Sequence, residues 1–377
     1  MLSAHRFDIA IAGGGVIGLT LARALAARHA RVAVIDAGAE IPPATNAAAG
    51  MLAPSFEDAV GDPEALYKLS ADSLRQWPSF AAGLEEETGL SVDFRDDGVI
   101  GVAFDETEAK ALEERCAGLA ARGAAVAMLS PEETRRLEPA LAPDVAAGFF
   151  AEADAQVDPR KLLAALRESL ARRAAVLIDG RALKAQPQNG VWCIALASGE
   201  AVEAATLVIA SGAVAAALVC GLPKPPVFPV KGEALALDGV EGEIRRVVRG
   251  PGAYLCPKAG GRLVIGATEL ADRGDLHVDD AAVDGLLRRA RRTAPAIEAW
   301  PELERWAGLR PGTPDGAPIL GCDPRGPEGV YLALGHYRNG VLLAPASAEL
   351  LAADIFDGEP LTNARAFLPS RFDAAPD

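Results

Sequence analysis

The 377-residue chain contains only four histidines and five cysteines. The histidines, His5, His29, His277 and His336, form no ligand-spaced pair, so no metal site is expected. The cysteines, Cys116, Cys193, Cys220, Cys256 and Cys322, show no CxxC and no framework spacing. Reduced, mostly buried thiols in a cytoplasmic protein are therefore expected. Positive charge is also scarce: 37 Lys plus Arg stand against 52 Asp plus Glu, a net charge of −15. Nucleic acid and anionic membrane both need a basic footprint, and neither is expected as a partner. The one basic cluster, Arg288-Arg289 with Arg291-Arg292, follows a helical pattern and reads as a solvated helix face. No charged-then-apolar leader precedes the first strand, so a signal peptide is not expected. The apolar stretch 205–222 is interrupted by Ser211-Gly212 and reads as a strand plus a short helix, not a membrane span. No Ser/His/Asp or Cys/His arrangement stands out.

What the chain does have is a glycine loop almost at its start, Gly13-Gly14-Gly15-Val16-Ile17-Gly18. It lies between an apolar run (7–12) and a helical pattern (19–27), which is the strand–GxGxxG–helix arrangement of a dinucleotide site. Gly13 allows the tight turn, Gly15 lets backbone approach a pyrophosphate, and Gly18 lets helix pack close to strand. The helix N-terminus offers free N–H groups and a positive dipole end to phosphate. A second apolar run, 31–36, ends in Asp36, whose carboxylate is placed to accept bonds from a ribose diol. These features specify a dinucleotide, but neither which one nor the chemistry.

At this length two domains are expected, and half-hydrophobic composition with 24% charged residues suits a soluble globular protein. The opening reads β-α-β. A small-residue loop (44–54) follows, then a helix with Leu66, Leu69, Leu74, Trp77 and Phe80 on one face. A strand is expected over 98–104 and helices over 106–122 and 160–173, the last with its proline just before the first turn. Residues 191–196 and 201–210 alternate as a hairpin would. From 230 onward short strands around glycine turns (232–237, 247–249, 253–257, 262–267) suggest an antiparallel sheet. A helix over 279–294, strands at 306–309 and 329–334, and a helix over 340–356 close the chain. The fold class is α/β, α+β overall. A discontinuous Rossmann-type cofactor domain (1–85, 145–226 and 305–377) is interrupted by an antiparallel-sheet substrate domain (86–144 and 227–304).

Beyond the loop, several segments are more specific: 47–54 (AAAGMLAP), 229–232 (PVKG), 266–268 (GAT), 308–316 (GLRPGTPDG) and 335–340 (GHYRNG). On these, across nearly the whole chain, the sequence resembles the flavin amino-acid oxidase superfamily and, within it, the glycine oxidases of thiamin biosynthesis. Nicotinamide dehydrogenases have no counterpart to the last two segments. The resemblance implies FAD laid across the loop, bound through Gly13, Gly15, Val16, Ile17 and Gly18, with Asp36 on the adenosine ribose. Ala37, Ala44 and Thr45 would lie along the adenosine and diphosphate, Ala182 at adenine, and Ala49, Gly50 and Met51 at the isoalloxazine. His336, Tyr337, Arg338, Asn339, Gly340, Val341 and Leu342 would wrap the flavin's pyrimidine end.

The resemblance also implies a carboxylate clamp, with Arg310 as the main guanidinium and Arg338 helping to orient, since a planar guanidinium forks onto a carboxylate. Tyr254 matches a tyrosine lining the family's substrate site. It would equally serve as a half-buried sheet aromatic. Glu269 stands where relatives often carry an apolar residue. Facing the pocket it would bind an ammonium or admit a larger amine; facing solvent it would do neither.

The implied reaction is oxidative deamination of glycine and small amines to glyoxylate, ammonia and hydrogen peroxide. Hydride transfer to flavin needs orientation but no side-chain acid or base, and dioxygen is the second substrate. The family's sarcosine oxidases attach flavin through a cysteine near position 310. Here that place is arginine and Cys322 lies twelve residues on, so FAD is expected to be non-covalent. A homo-oligomer, a tetramer by resemblance, is expected. Two alternatives remain open within the class: a sibling flavin oxidase or dehydrogenase that acts on sarcosine, D-amino acids or a cyclic amine or passes electrons to a quinone, and a non-catalytic flavin subunit. A nicotinamide-dependent dehydrogenase would satisfy the glycine loop alone.

Overall fold

The computed structural model describes residues 6–38, 44–57, 63–173, 175–213, 218–271, 273–357 and 362–372. Two sheets dominate it. In the first, the strand Arg6–Ala12 is central and pairs in parallel with Val32–Asp36 on one side and Ala201–Ile209 on the other. Ala175–Asp179 extends the sheet beyond Val32–Asp36, and Val330–Leu334 and Ile319–Cys322 extend it beyond Ala201–Ile209. The central strands are buried on both faces, which is why they read as continuous apolar runs rather than as alternation. The expected hairpin forms from Val191–Leu196 and Ala201–Ile209. Of the apolar stretch 205–222, the strand half is this one; residues 214–217 lie outside the described residues.

Four helices cover one face of this sheet: Val16–Ala27, Glu64–Thr88, Pro159–Ala171 and Gly340–Asp357. Trp77, fully buried, donates from its indole Nε1 to the Leu342 carbonyl (2.9 Å), and the Ser73 hydroxyl donates to the same oxygen (2.6 Å). Glu87 ties its helix to Arg23 of Val16–Ala27 (2.9 Å) and to Arg173, just past the end of Pro159–Ala171 (2.6 Å). Although burial raises its pKa, those arginines and the Ser169 hydroxyl outweigh it and hold the carboxyl at about 2. Among the described residues one helix, Tyr337–Phe356, is long and apolar enough to cross a membrane. Of its most apolar 18-residue window 67% is buried, and it packs on the Val16–Ala27 and Glu64–Thr88 helices, which makes it a core helix of the fold.

The second sheet is mostly antiparallel and is built around the long strand Phe228–Asp238, which pairs with Arg262–Gly266 and along its length with Glu302–Gly312. Ala253–Pro257, Val247–Gly250, Val99–Ala103, Ala147–Ala151 and Val126–Leu129 continue it. Strand pairing departs from the expected boundaries at two points. Ala147–Ala151 bonds to Val99–Ala103 and Val126–Leu129, so it belongs to the second sheet although residues from 145 on were expected in the cofactor domain. Glu302–Gly312 likewise lies wholly in the second sheet, past the expected break at 305. The cysteines also differ from expectation. All five are free, but only Cys256 is buried; Cys220 and Cys322 are exposed.

Candidate active site

Between the two sheets lies a cavity of about 850 Å³, with the glycine loop at one end and the second sheet at the other. At the loop, Gly13 adopts φ +126°, and its amide donates to the Ile35 carbonyl at 2.8 Å. A Cβ there would stand 2.3 Å from the Ala210 carbonyl oxygen, so the first two parallel connections meet at a point that only glycine fits. The helix Val16–Ala27 begins at Gly15 with no side-chain cap; the Val16 amide donates to Thr45 Oγ1 at 3.1 Å. Its first turn therefore points positive dipole and free amides toward the cavity, a ready anion site. The Asp36 carboxylate accepts from the amides of Gly14 (2.6 Å) and Gly38 (3.0 Å) and lies 3.6 Å from Arg167.

Of the residues named from the sequence for the cofactor, Gly13, Gly15, Val16, Ile17, Asp36, Ala37, Ala44, Thr45, Ala49, Gly50, Met51, Ala182, His336, Tyr337, Arg338, Gly340 and Val341 line this cavity. Gly18, Asn339 and Leu342 do not. Gly18 faces the first strand, where a Cβ would stand 1.9 Å from the Gly13 carbonyl oxygen. Asn339 is buried with Oδ1 unpartnered among the described residues, and the Leu342 carbonyl is taken by Trp77 and Ser73.

Midway along the cavity, Gly50 (φ +83°) precedes the two-residue strand Met51–Leu52, which pairs with Ala155–Gln156. A Cβ on Gly50 would meet the Val157 carbonyl oxygen at 2.0 Å. Gly50 thus lies against the Val157 backbone with no room for a side chain. Opposite it, His336 is buried with Nε2 3.1 Å from the Ser347 hydroxyl. Burial alone pulls its pKa down to about 3, so the imidazole is neutral.

The far end gathers charge. Arg310 leaves the strand Glu302–Gly312 and lies over Gly232, where a Cβ would come within 2.3 Å of its Nη1. That Nη1 donates to the Thr268 carbonyl (3.1 Å) and the Lys231 carbonyl (3.4 Å), and no carboxylate among the described residues lies within ion-pair distance of it. Arg338 is different: its Nε is 3.5 Å from Glu57 Oε2 and its Nη1 3.8 Å from Glu269 Oε2. Glu269 lines the cavity half-exposed, and its Oε1 accepts from the Tyr337 hydroxyl. Tyr254 lines the cavity too, its hydroxyl against Gly266; burial pushes its pKa up to about 12. Tyr337 is also raised to about 12, mainly by burial and then by the Glu269 bond. Two residues of this cluster escaped the sequence reading. Glu57, buried at the end of Pro54–Glu57, and Arg249, on Val247–Gly250, line the same space and pair at 3.2 Å.

Comparison with known proteins matches these features. The FAD dependent oxidoreductase (DAO) family model covers residues 8–354. The chain is 36% identical to the glycine oxidase of Geobacillus kaustophilus (strain HTA426) over 94% of this chain and 93% of that protein. It is 34% identical to the bifunctional protein ThiO/ThiG of Synechocystis sp. (strain ATCC 27184 / PCC 6803 / Kazusa) over 97% of this chain, which spans 54% of that longer protein. The crystal structure of the Geobacillus kaustophilus glycine oxidase superposes with a TM-score of 0.90, covering 98% of this chain and 99% of that one at 35% identity. That of iminodiacetate oxidase (IdaA) from Chelativorans sp. BNC1 gives 0.85 over 96% and 99%, at 26% identity. The chain belongs to the FAD dependent oxidoreductase family, and it is an FAD-dependent amine oxidase.

Proposed function

We propose that the protein is a glycine oxidase, converting glycine, water and dioxygen to glyoxylate, ammonia and hydrogen peroxide, and that it serves thiamin thiazole biosynthesis. One observation carries this reading: Arg310 is a cavity guanidinium without a carboxylate partner among the described residues, placed where a small amino acid would supply one. The residues at the other end fit FAD. The uncapped helix at Gly15 suits its diphosphate, Asp36 its ribose, and the close-packed turn at Gly50 its ring. Bound there, FAD supplies the two-electron acceptor that dioxygen regenerates.

The chain's own residues hold and orient the substrate. Arg310 forks onto the carboxylate, and the small zwitterion, having little else to grip, takes its orientation from that clamp. Arg338 is already matched by Glu57 and Glu269, so its share is to shape the wall rather than to bind the carboxylate. Tyr254 and Tyr337 stay protonated and His336 stays neutral, so none of the three is poised to take a proton near neutral pH. The substrate must arrive as the free amine. The rate of flavin reduction is therefore expected to rise with pH as the substrate amine deprotonates, and to keep that profile in a His336→Asn variant. A stopped-flow pH series checks this; a profile that collapses in the variant would mean that His336 is the base.

No cysteine among the described residues lines the cavity, and Cys322 sits exposed at the end of Ile319–Cys322. FAD held without a covalent bond is therefore the expectation. Acid precipitation should leave the yellow colour in the supernatant, and colour in the pellet would mean attachment.

The same reading includes a division into a cofactor unit and a substrate unit along the two sheets, a cytoplasmic location and a homotetramer. Anaerobic titration with glycine tests the function directly. Bleaching of the flavin absorbance is expected, whereas bleaching only by sarcosine, D-alanine or D-proline would move the protein to a sibling activity.

A further inference from the structure

Arg310 is held from behind by two backbone carbonyls, and the side chains of the residues that supply them belong to one buried network. Its Nη1 donates to the carbonyls of Thr268 (3.1 Å) and Lys231 (3.4 Å). Side chains alternate along Phe228–Asp238, so Lys231 and Glu233 project from the face opposite to the one on which Arg310 crosses Gly232. There Lys231 Nζ stands 3.2 Å from Glu233 Oε1, with both side chains buried. Glu233 Oε2 accepts from the Thr268 hydroxyl (3.1 Å), and that hydroxyl accepts from the Glu233 amide (2.9 Å).

The same network reaches the cavity wall. Lys231 Nζ also donates to Asp275 Oδ1 at 2.8 Å, and Asp275 lies between Gly274 and Leu276, which both line the cavity. The bonds from Lys231 and then Arg273 hold the Asp275 carboxyl well below the usual carboxylate range, so this tie is ionised near neutral pH. Four residues on, the Asp279 amide donates to Glu233 Oε1 (2.9 Å) where the helix Asp280–Thr293 begins, and that helix packs on the same strand. Residues 273–279 therefore run from the cavity to the back of the sheet, fastened at one point to Lys231 and at another to Glu233.

A buried ion pair is a poor means of gaining stability, because shape-matched neutral groups often serve as well. What a fully bonded network does secure is geometry. We propose that Lys231 and Glu233 are positioning residues for the substrate clamp, fixing Arg310 through the carbonyls of residues 231 and 268 and fixing the wall at 274–276 through Asp275. Neither touches the substrate. The proposal rests on the reading of Arg310 as the carboxylate clamp. A guanidinium displaced by a fraction of an ångström no longer forks squarely onto a carboxylate, and the loss falls mainly on substrate binding.

The test uses the FAD-loaded enzyme, with acetate as a probe that has the carboxylate and no amine. Lys231→Met/Glu233→Gln removes both buried charges at nearly constant volume, and Asp275→Asn removes the half-exposed one. In each, the glycine KM and the acetate inhibition constant should rise together by about fivefold or more, while kcat stays within about twofold of wild type. In an Arg310→Ala background the same substitutions should change glycine kcat/KM by less than about twofold, because the residue through which they act is gone. A role confined to holding the fold would keep its full penalty there. That persistence would overturn the proposal, and so would KM and inhibition constants within about twofold of wild type in the flavin-loaded network variants. Should the double variant not fold, Asp275→Asn decides by the same criteria. If Arg310→Ala itself keeps glycine turnover, the clamp reading fails. If Arg310→Ala loses turnover while the network variants leave KM unchanged, only this proposal fails.

Discussion

An Arg310→Ala enzyme is expected to keep its FAD and lose glycine turnover, with kcat/KM falling by about two to three orders of magnitude. The size follows from what is removed. Unlike Arg249 and Arg338, the guanidinium has no carboxylate within ion-pair distance among the described residues, so the substrate's own carboxylate is its counter-ion. Arg310→Lys should fall between the two, because the ammonium keeps the charge but lacks the fork. Gly232→Ala offers an independent check. The added methyl would stand 2.3 Å from Arg310 Nη1, the movable end of a side chain, so the guanidinium would shift and the fold would survive. KM should rise in that variant with FAD content unchanged. Oxygen-uptake kinetics with flavin content measured in parallel would show all three; an Arg310→Ala kcat/KM within about threefold of wild type would remove the clamp from the mechanism.

The second large effect lies at a residue that does not touch the cavity. Gly18→Ala is expected to destabilise the fold by about 3 kcal/mol or more and to yield protein largely without FAD. The new Cβ would be 1.9 Å from the Gly13 carbonyl oxygen and 3.3 Å from Ile11 Cγ2. A backbone oxygen in this strand-to-helix turn cannot step aside. The helix Val16–Ala27 must therefore move off the strand, carrying the anion-binding first turn with it. Thermal unfolding and the ratio of flavin to protein absorbance read out both consequences. A Gly18→Ala protein with wild-type melting and full flavin would show that the helix can shift without penalty.

Much of this site was legible because its parts are local. The glycine loop, Asp36 and residues 335–341 each form within a strand, a turn and a helix start, so their spacing reports their geometry. The strands Ala147–Ala151 and Glu302–Gly312 were harder to place, because partner choice is decided across the chain. The second bonds to Phe228–Asp238, some seventy residues earlier, and nothing in its own residues says so. Glu57 and Arg249 were missed for the same reason, their ion pair spanning 192 positions. A signal did exist for Arg249: once Tyr254 is placed in the pocket, the turn at Gly250–Ala253 puts Arg249 opposite it on the same face. The cysteines misled because burial was judged from residue type. Cys220 and Cys322 stand near strand ends and turns, where type says little.

The cavity wall is assembled from both extremes of the chain, from Ala12 in the first strand to Val341 in the last long helix, with the second sheet between them. During synthesis, the phosphate end would thus emerge complete while the opposite wall was still unmade. No nascent chain short of the Gly340–Asp357 helix can enclose the flavin, and Trp77 and Ser73 wait until then for their bonds to Leu342. Cofactor capture would then be a closing event of folding rather than a seed for it, and flavin supply would govern how much finished chain matures, not whether the first sheet begins to form.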